Sequence, residues 1–212
     1  MNEIEGFILA GGASSRMGED KSLLRLGGLT FVEIIAGALR PVAARVRLVS
    51  SRPDAEAHGL PVVADVFEGR GAIGGLHAAL AVCGASWALV VSCDLPFVTT
   101  ELLARLASLR GDGADAVAPL QNDGREQPLC ALYAAAACRT TAEELIRAGE
   151  LRPRELLRRV RTRWVAFDEL SELAGSSLFF RNVNTPDDYE QARHEAQGKR
   201  QKAKGKRQEA KI

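Results

Sequence analysis

An apolar pentapeptide that empties into a glycine-rich, basic loop constrains this 212-residue chain more than any other feature of it. Gly6-Phe7-Ile8-Leu9-Ala10 reads as a short buried strand, and Gly11-Gly12-Ala13-Ser14-Ser15-Arg16-Met17-Gly18-Glu19-Asp20-Lys21 follows at once. Glycine reaches positive φ without steric cost and lets main-chain N–H groups close on an anion. Gly11, Gly12 and Gly18 therefore read as a phosphate loop, to which Arg16 brings a bidentate fork and Lys21 a mobile point charge. The spacing lacks both the Gly-Lys-Ser/Thr ending of Walker loops and the Gly-x-Gly-x-x-Gly of dinucleotide folds, so the loop belongs to another class of nucleotide enzyme.

Short apolar runs continue along the chain: Val46 to Val49, Pro61 to Ala64, Trp87 to Ser92, Ala116 to Ala118 and Leu129 to Tyr133 read as strands. Helical patterns lie between them. Thr30 to Ala43 repeats apolar residues at Phe31, Ile34, Ile35, Ala38 and Leu39, and Ile73 to Cys83 and Thr99 to Leu109 behave alike. Thr185-Pro186-Asp187-Asp188 starts a further helix, with Thr185 as N-cap, proline at the first helical position and acids at the positive end of the dipole. Near-continuous apolar strands separated by helices predict an α/β domain of three layers, with a mostly parallel sheet covered on both faces. A hydrophobic content of 46% is enough for one sizeable core, which we place in a single domain over residues 1–197.

The net charge of +1 hides an asymmetry. Residues 198–212 carry seven basic side chains against Glu209 alone, leaving the rest of the chain acidic. With no apolar period, this tail is expected to be a disordered, solvated extension rather than a nucleic-acid or membrane contact. No apolar run approaches the roughly 18 residues of a membrane span. The acidic Met1-Asn2-Glu3-Ile4-Glu5 is unlike a secretory leader, so a cytoplasmic protein is expected. Cys83, Cys93, Cys130 and Cys138 lack Cys-x-x-Cys spacing and read as free thiols. His58, His77 and His194 form no catalytic or metal-binding constellation.

Ligands of open α/β sheets bind at the carboxyl ends of the strands. Asp65 follows one apolar run and Asp94 another, so two carboxylates and a cationic loop are expected around one crevice, suited to a nucleoside triphosphate with a divalent metal. Magnesium takes one or two carboxylates plus phosphate oxygens, which makes Asp94 its direct ligand. Gly74 and Gly75 either let a helix N-terminus approach the ligand or serve tight packing. Arg125 to Pro128 opens a strand and is placed at the acceptor pocket.

The pattern from Leu9 to Lys21 resembles the signature of nucleotidyltransferases acting on sugar phosphates and pterin phosphates, and its Met-Gly-x-Asp-Lys ending is most similar to the molybdenum cofactor guanylyltransferase family. Three further matches follow in chain order: Asp65 before Gly71-Ala72-Ile73-Gly74-Gly75, Cys93-Asp94-Leu95-Pro96-Phe97, and Asn182-Val183-Asn184-Thr185-Pro186-Asp187-Asp188, together spanning residues 6–190. The resemblance implies a three-layer, Rossmann-like nucleotidyltransferase fold with a mostly parallel mixed sheet. It implies magnesium-dependent transfer of GMP from GTP to the terminal phosphate of molybdopterin, with release of pyrophosphate. The implied nucleotide side comprises Leu9, Ala10, Gly11, Gly12, Lys21, Asp65 and Asp94; main-chain groups from Leu9 to Gly11 would read the guanine edge. Arg16, Lys21 and Asp94 would be catalytic, with Asp94 on the metal, and Asn182 and Asn184 would face the acceptor. Molybdenum-insertion and molybdoenzyme proteins are the implied partners. At Ser50-Ser51-Arg52 many family members carry Asn before the Arg, so a nucleotide contact there is not carried over. A cytidylyltransferase, a sugar-phosphate nucleotidyltransferase and a non-catalytic nucleotide-binding regulator stay open as alternatives.

Overall fold

Seven strands hydrogen-bond into one sheet in a computed structural model that describes residues 3–10, 23–52, 55–67, 69–111 and 113–195. The strands are β1 (Ile4–Leu9), β4 (Val46–Val49), β5 (Val62–Val63), β6 (Trp87–Ser92), β7 (Ala116–Pro119), β8 (Cys130–Ala134) and β9 (Thr162–Val165). Their spatial order is β5-β4-β1-β6-β8-β7-β9. Every pairing is parallel except those of β8, which runs antiparallel to both β6 and β7. The predicted sheet is therefore mixed by one inverted strand. A separate two-stranded hairpin, β2 (Arg25–Leu26) and β3 (Leu29–Thr30), turns through Gly27 and Gly28, both at positive φ, before the first helix.

Alternate residues of each strand feed opposite layers, as the two-residue period of a pleated strand requires. Ile4, Ile8, Leu48, Leu89, Val91 and Leu132 face α1 (Phe31–Leu39) and α3 (Thr100–Ser108). Phe7, Leu9, Val49, Val90, Ala131 and Tyr133 face α2 (Gly71–Val82), α4 (Ala135–Arg147) and α5 (Pro153–Arg159). That is the three-layer arrangement. A third cluster joins the hairpin to the end of the chain: Leu24, Leu26 and Phe31 pack with Val183 and Ala192, the latter on a last helix, α6, over residues 186–195.

Several element boundaries differ from the sequence reading. The first strand starts at Ile4 rather than Gly6, and the first helix ends at Leu39 rather than Ala43 because Pro41 cannot continue a helix. The run from Pro61 to Ala64 contributes only Val62 and Val63 at the sheet's edge. Besides the hairpin, three elements escaped notice altogether. The edge strand β9, Thr-Arg-Trp-Val, is too polar to stand out; α5 is short and arginine-rich; and α4 starts directly from β8 with Ala134 in place of a capping side chain. The boundary proposed between the domain and the basic tail lies outside the described residues.

Candidate active site

Three parallel strands deliver their carboxyl ends side by side, and hydrogen bonds hold those ends together. The N–H of Ala10 donates to the Val49 carbonyl (2.9 Å), and that of Cys93 to the Leu9 carbonyl (3.0 Å). Ser50 adds a side-chain tie: its Oγ donates to the Ala10 carbonyl (3.4 Å) and accepts from the Arg52 N–H (3.2 Å). Ser50 thus braces the residue that leads into the glycine loop. Leu9 and Ala10 are both buried at this exit. Gly11, Gly12, Gly18, Arg16 and Lys21 lie outside the described residues.

Asp94 comes two residues after the end of β6, on one side of β1. Its side chain is half-buried, and among the described residues its carboxylate makes no hydrogen bond or ion pair. Its carbonyl is engaged, accepting from the Val183 N–H at 2.9 Å. That one bond fastens the Asn182–Asn184 segment to the Asp94 turn, across a sequence separation only tertiary structure could bridge. Asn182 is exposed and borders a cleft of about 680 Å³ that also takes in Asn122, Arg125 and Ser177. Arg125 and Asn182, read as separate acceptor residues in the sequence, therefore share one cleft. Within it the Arg125 Nε is held by Asp123 Oδ2 at 2.6 Å. Asn184 is half-buried and its N–H donates to Asp188 Oδ2 at 3.0 Å, inside the start of α6.

Asp65 occupies the other flank. It follows β5, two strands beyond β1, so at strand level it stands roughly 14 Å from the β6 exit that bears Asp94. At that spacing the two carboxylates do not share one ion. Asp65 Oδ1 accepts from the Phe67 N–H at 2.9 Å, and its Oδ2 presses on α2: a Cβ placed on Gly74 would fall 2.7 Å from it. Gly74 is thus a packing residue that lets Asp65 lie against the first turns of the helix. Gly75 has only ordinary contacts, with Leu9 and Val49.

Among the described residues there is no cluster of three or more His, Cys, Asp or Glu side chains able to cage a metal. Magnesium needs no such cage when substrate phosphates complete its octahedron, and a strand-exit carboxylate with no partner among the described residues fits that ion. The described thiols are unsuited to chemistry; burial pushes those of Cys130 and Cys138 up to about 12. His77 is buried on α2, against the edge of the Phe67 ring, and among the described residues its Nδ1 has no hydrogen-bond partner. The bracing by Ser50 and the packing of Phe67 on His77 carried no sequence signal, since a serine after a strand and a histidine on an apolar helix face are common. Among the described residues no helix is long and apolar enough to cross a membrane.

A sheet of this order, with a carboxylate at the exit beside its first strand, has the design of a nucleoside-triphosphate transferase, and residues 6–164 match the family model described as a MobA-like NTP transferase domain. The chain belongs to the molybdenum cofactor guanylyltransferase family. It is 38% identical to a probable molybdenum cofactor guanylyltransferase of Pelotomaculum thermopropionicum, across 94% of this chain and 97% of the relative. A second such relative, from Carboxydothermus hydrogenoformans, is 34% identical across 90% and 95%. The crystal structure of molybdopterin-guanine dinucleotide biosynthesis protein A from Archaeoglobus fulgidus superposes with a TM-score of 0.79 at 26% identity, covering 92% of this chain and 99% of that one.

Proposed function

We propose that the chain transfers GMP from GTP to the terminal phosphate of molybdopterin and releases pyrophosphate. The observation that carries this reading is the carboxylate of Asp94, without a hydrogen bond or ion pair among the described residues, at the exit beside β1 with the Asn182–Asn184 segment fastened to its main chain. A nucleotide-binding regulator has no use for a bare carboxylate there, whereas a group-transfer enzyme does. Asp94 would hold magnesium, which when bound supplies charge neutralisation for the triphosphate. An acceptor phosphate oxygen attacks the α-phosphorus in line; the new P–O bond forms as the bond to the bridging oxygen breaks, and pyrophosphate departs with that electron pair.

Arg16 and Lys21 are assigned from the sequence to the charge that grows on the leaving pyrophosphate. Main-chain groups of Leu9, Ala10, Gly11 and Gly12 and the side chain of Asp65 form the nucleotide side, and Asn182 and Asn184 orient the acceptor. The reaction is placed in the cytoplasm, with molybdenum-insertion and molybdoenzyme proteins as partners. Pyrophosphate release is to be followed with GTP, CTP and ATP in turn, with and without molybdopterin. Release only with GTP and molybdopterin together supports the reading. Preference for CTP makes the chain a cytidylyltransferase, and nucleotide binding without release from any triphosphate overturns the enzyme.

A further inference from the structure

We propose that His77 is a positioning residue for the nucleotide end of the site: together with Phe67 it fixes the loop that carries Asp65. This rests on Asp65 being a nucleotide contact and adds the means by which the chain sets that carboxylate. Asp65 follows a strand of only two residues at the sheet's edge, so the ladder alone constrains it weakly. The loop is instead pinned to α2. Gly74 opens room for the carboxylate against the helix, and His77, three residues on, lies on the same helical face.

The chain of contacts runs from helix to carboxylate without a gap. The rings of His77 and Phe67 meet edge to face, centroids 4.8 Å apart and planes at 74°. The Phe67 N–H holds Asp65 Oδ1 at 2.9 Å, while the Phe67 carbonyl accepts from the Arg70 N–H at 3.2 Å and closes the turn. His77 is 6% exposed, with Nδ1 lacking a hydrogen-bond partner among the described residues. A buried polar atom left unmatched is tolerated where the flat ring does something a smaller apolar residue could not. Here the ring is the surface on which Phe67 rests.

The test is steady-state kinetics with both substrates, alongside thermal melting, on His77→Ala, His77→Phe, Phe67→Ala and Asp65→Asn. His77→Ala and Phe67→Ala are each expected to raise the KM for GTP roughly tenfold, with kcat within about twofold and the KM for molybdopterin unchanged. The double variant should be no worse than either single one, because both act through one contact. His77→Phe keeps a flat ring and should restore the GTP KM. Phe67 is half-buried on a loop, so its alanine variant tests the idea even if His77→Ala fails to fold. If Asp65→Asn raises the GTP KM while Phe67→Ala and His77→Ala shift only the melting temperature, the positioning role is wrong. If Asp65→Asn itself leaves GTP binding unchanged, the reading of Asp65 fails first and the proposal falls with it.

Discussion

Because no described group leans on the carboxylate of Asp94, removing it costs the fold little and the proposed chemistry much. Asp94→Ala is therefore expected to lower kcat by about a thousandfold, or about 4 kcal/mol of transition-state stabilisation, with melting unchanged. Pyrophosphate release at saturating magnesium checks this, and near-normal turnover would remove Asp94 from the metal. His77 gives a second residue-scale outcome, in stability rather than rate. Burial lowers its pKa from the ordinary 6.5; the fields of Glu143 and Asp65 oppose the shift and Arg139 adds to it. The folded protein then binds fewer protons than the unfolded chain as pH falls through the ordinary histidine range. Stability from this site is full above that range and declines below it. Melting temperatures from about pH 7.5 to about pH 5 should fall less steeply for His77→Phe than for the wild type. Parallel curves would show that other groups set the acid slope.

At the scale of elements, the clearest sequence signals were the ones with a local cause. Thr30 accepts from the Glu33 N–H at 3.1 Å while Glu33 Oε2 accepts from the Thr30 N–H at 2.7 Å, so α1 starts in a capping box. Thr185 and Asp188 repeat the arrangement at α6, with distances of 3.1 Å and 2.9 Å. The start of α6 was legible because threonine, proline and acid side chains declare a helix within four residues, whereas α1 was legible from its apolar spacing. Trp87 to Ser92 was legible with its bounds because a buried strand is apolar throughout. What escaped depended on distant partners. The inversion of β8, the hairpin that packs against α6 and the bond from Val183 to Asp94 are set by contacts the local sequence does not encode. Thr185→Ala should cost about 1 kcal/mol in urea unfolding, since it strips the cap from a helix whose Tyr189 hydroxyl donates to the Arg25 carbonyl at 2.9 Å. A loss below about 0.3 kcal/mol would mean that tertiary packing, not the cap, holds the start of α6.

On the scale of the whole molecule, the sheet order divides the proposed site into two sides. β5, β4, β1 and β6 are parallel neighbours, and their exits carry Asp65, Ser50, Ala10 and Asp94. Beyond β6 the inverted β8 changes the character of the edge, and the cleft with Asn122, Arg125, Ser177 and Asn182 lies at that other side. Asp94 stands where the two sides meet, its carbonyl fastened to the Asn182–Asn184 segment by the Val183 N–H. Defects on the two sides should therefore differ in kind. Lys21, assigned to the phosphate loop from sequence, acts on charge that grows as pyrophosphate leaves, so Lys21→Ala should weaken GTP affinity and lower kcat together. Asn182 is exposed and belongs to no hydrogen-bonded element, so Asn182→Ala should leave melting unchanged. It should raise the molybdopterin KM by about tenfold, the loss of one hydrogen bond to a charged group. Calorimetry with GTP and magnesium alone should find that variant close to wild type. If Asn182→Ala loses GTP binding while its melting temperature holds, the cleft belongs to the nucleotide and the division of the sheet into two substrate halves is wrong.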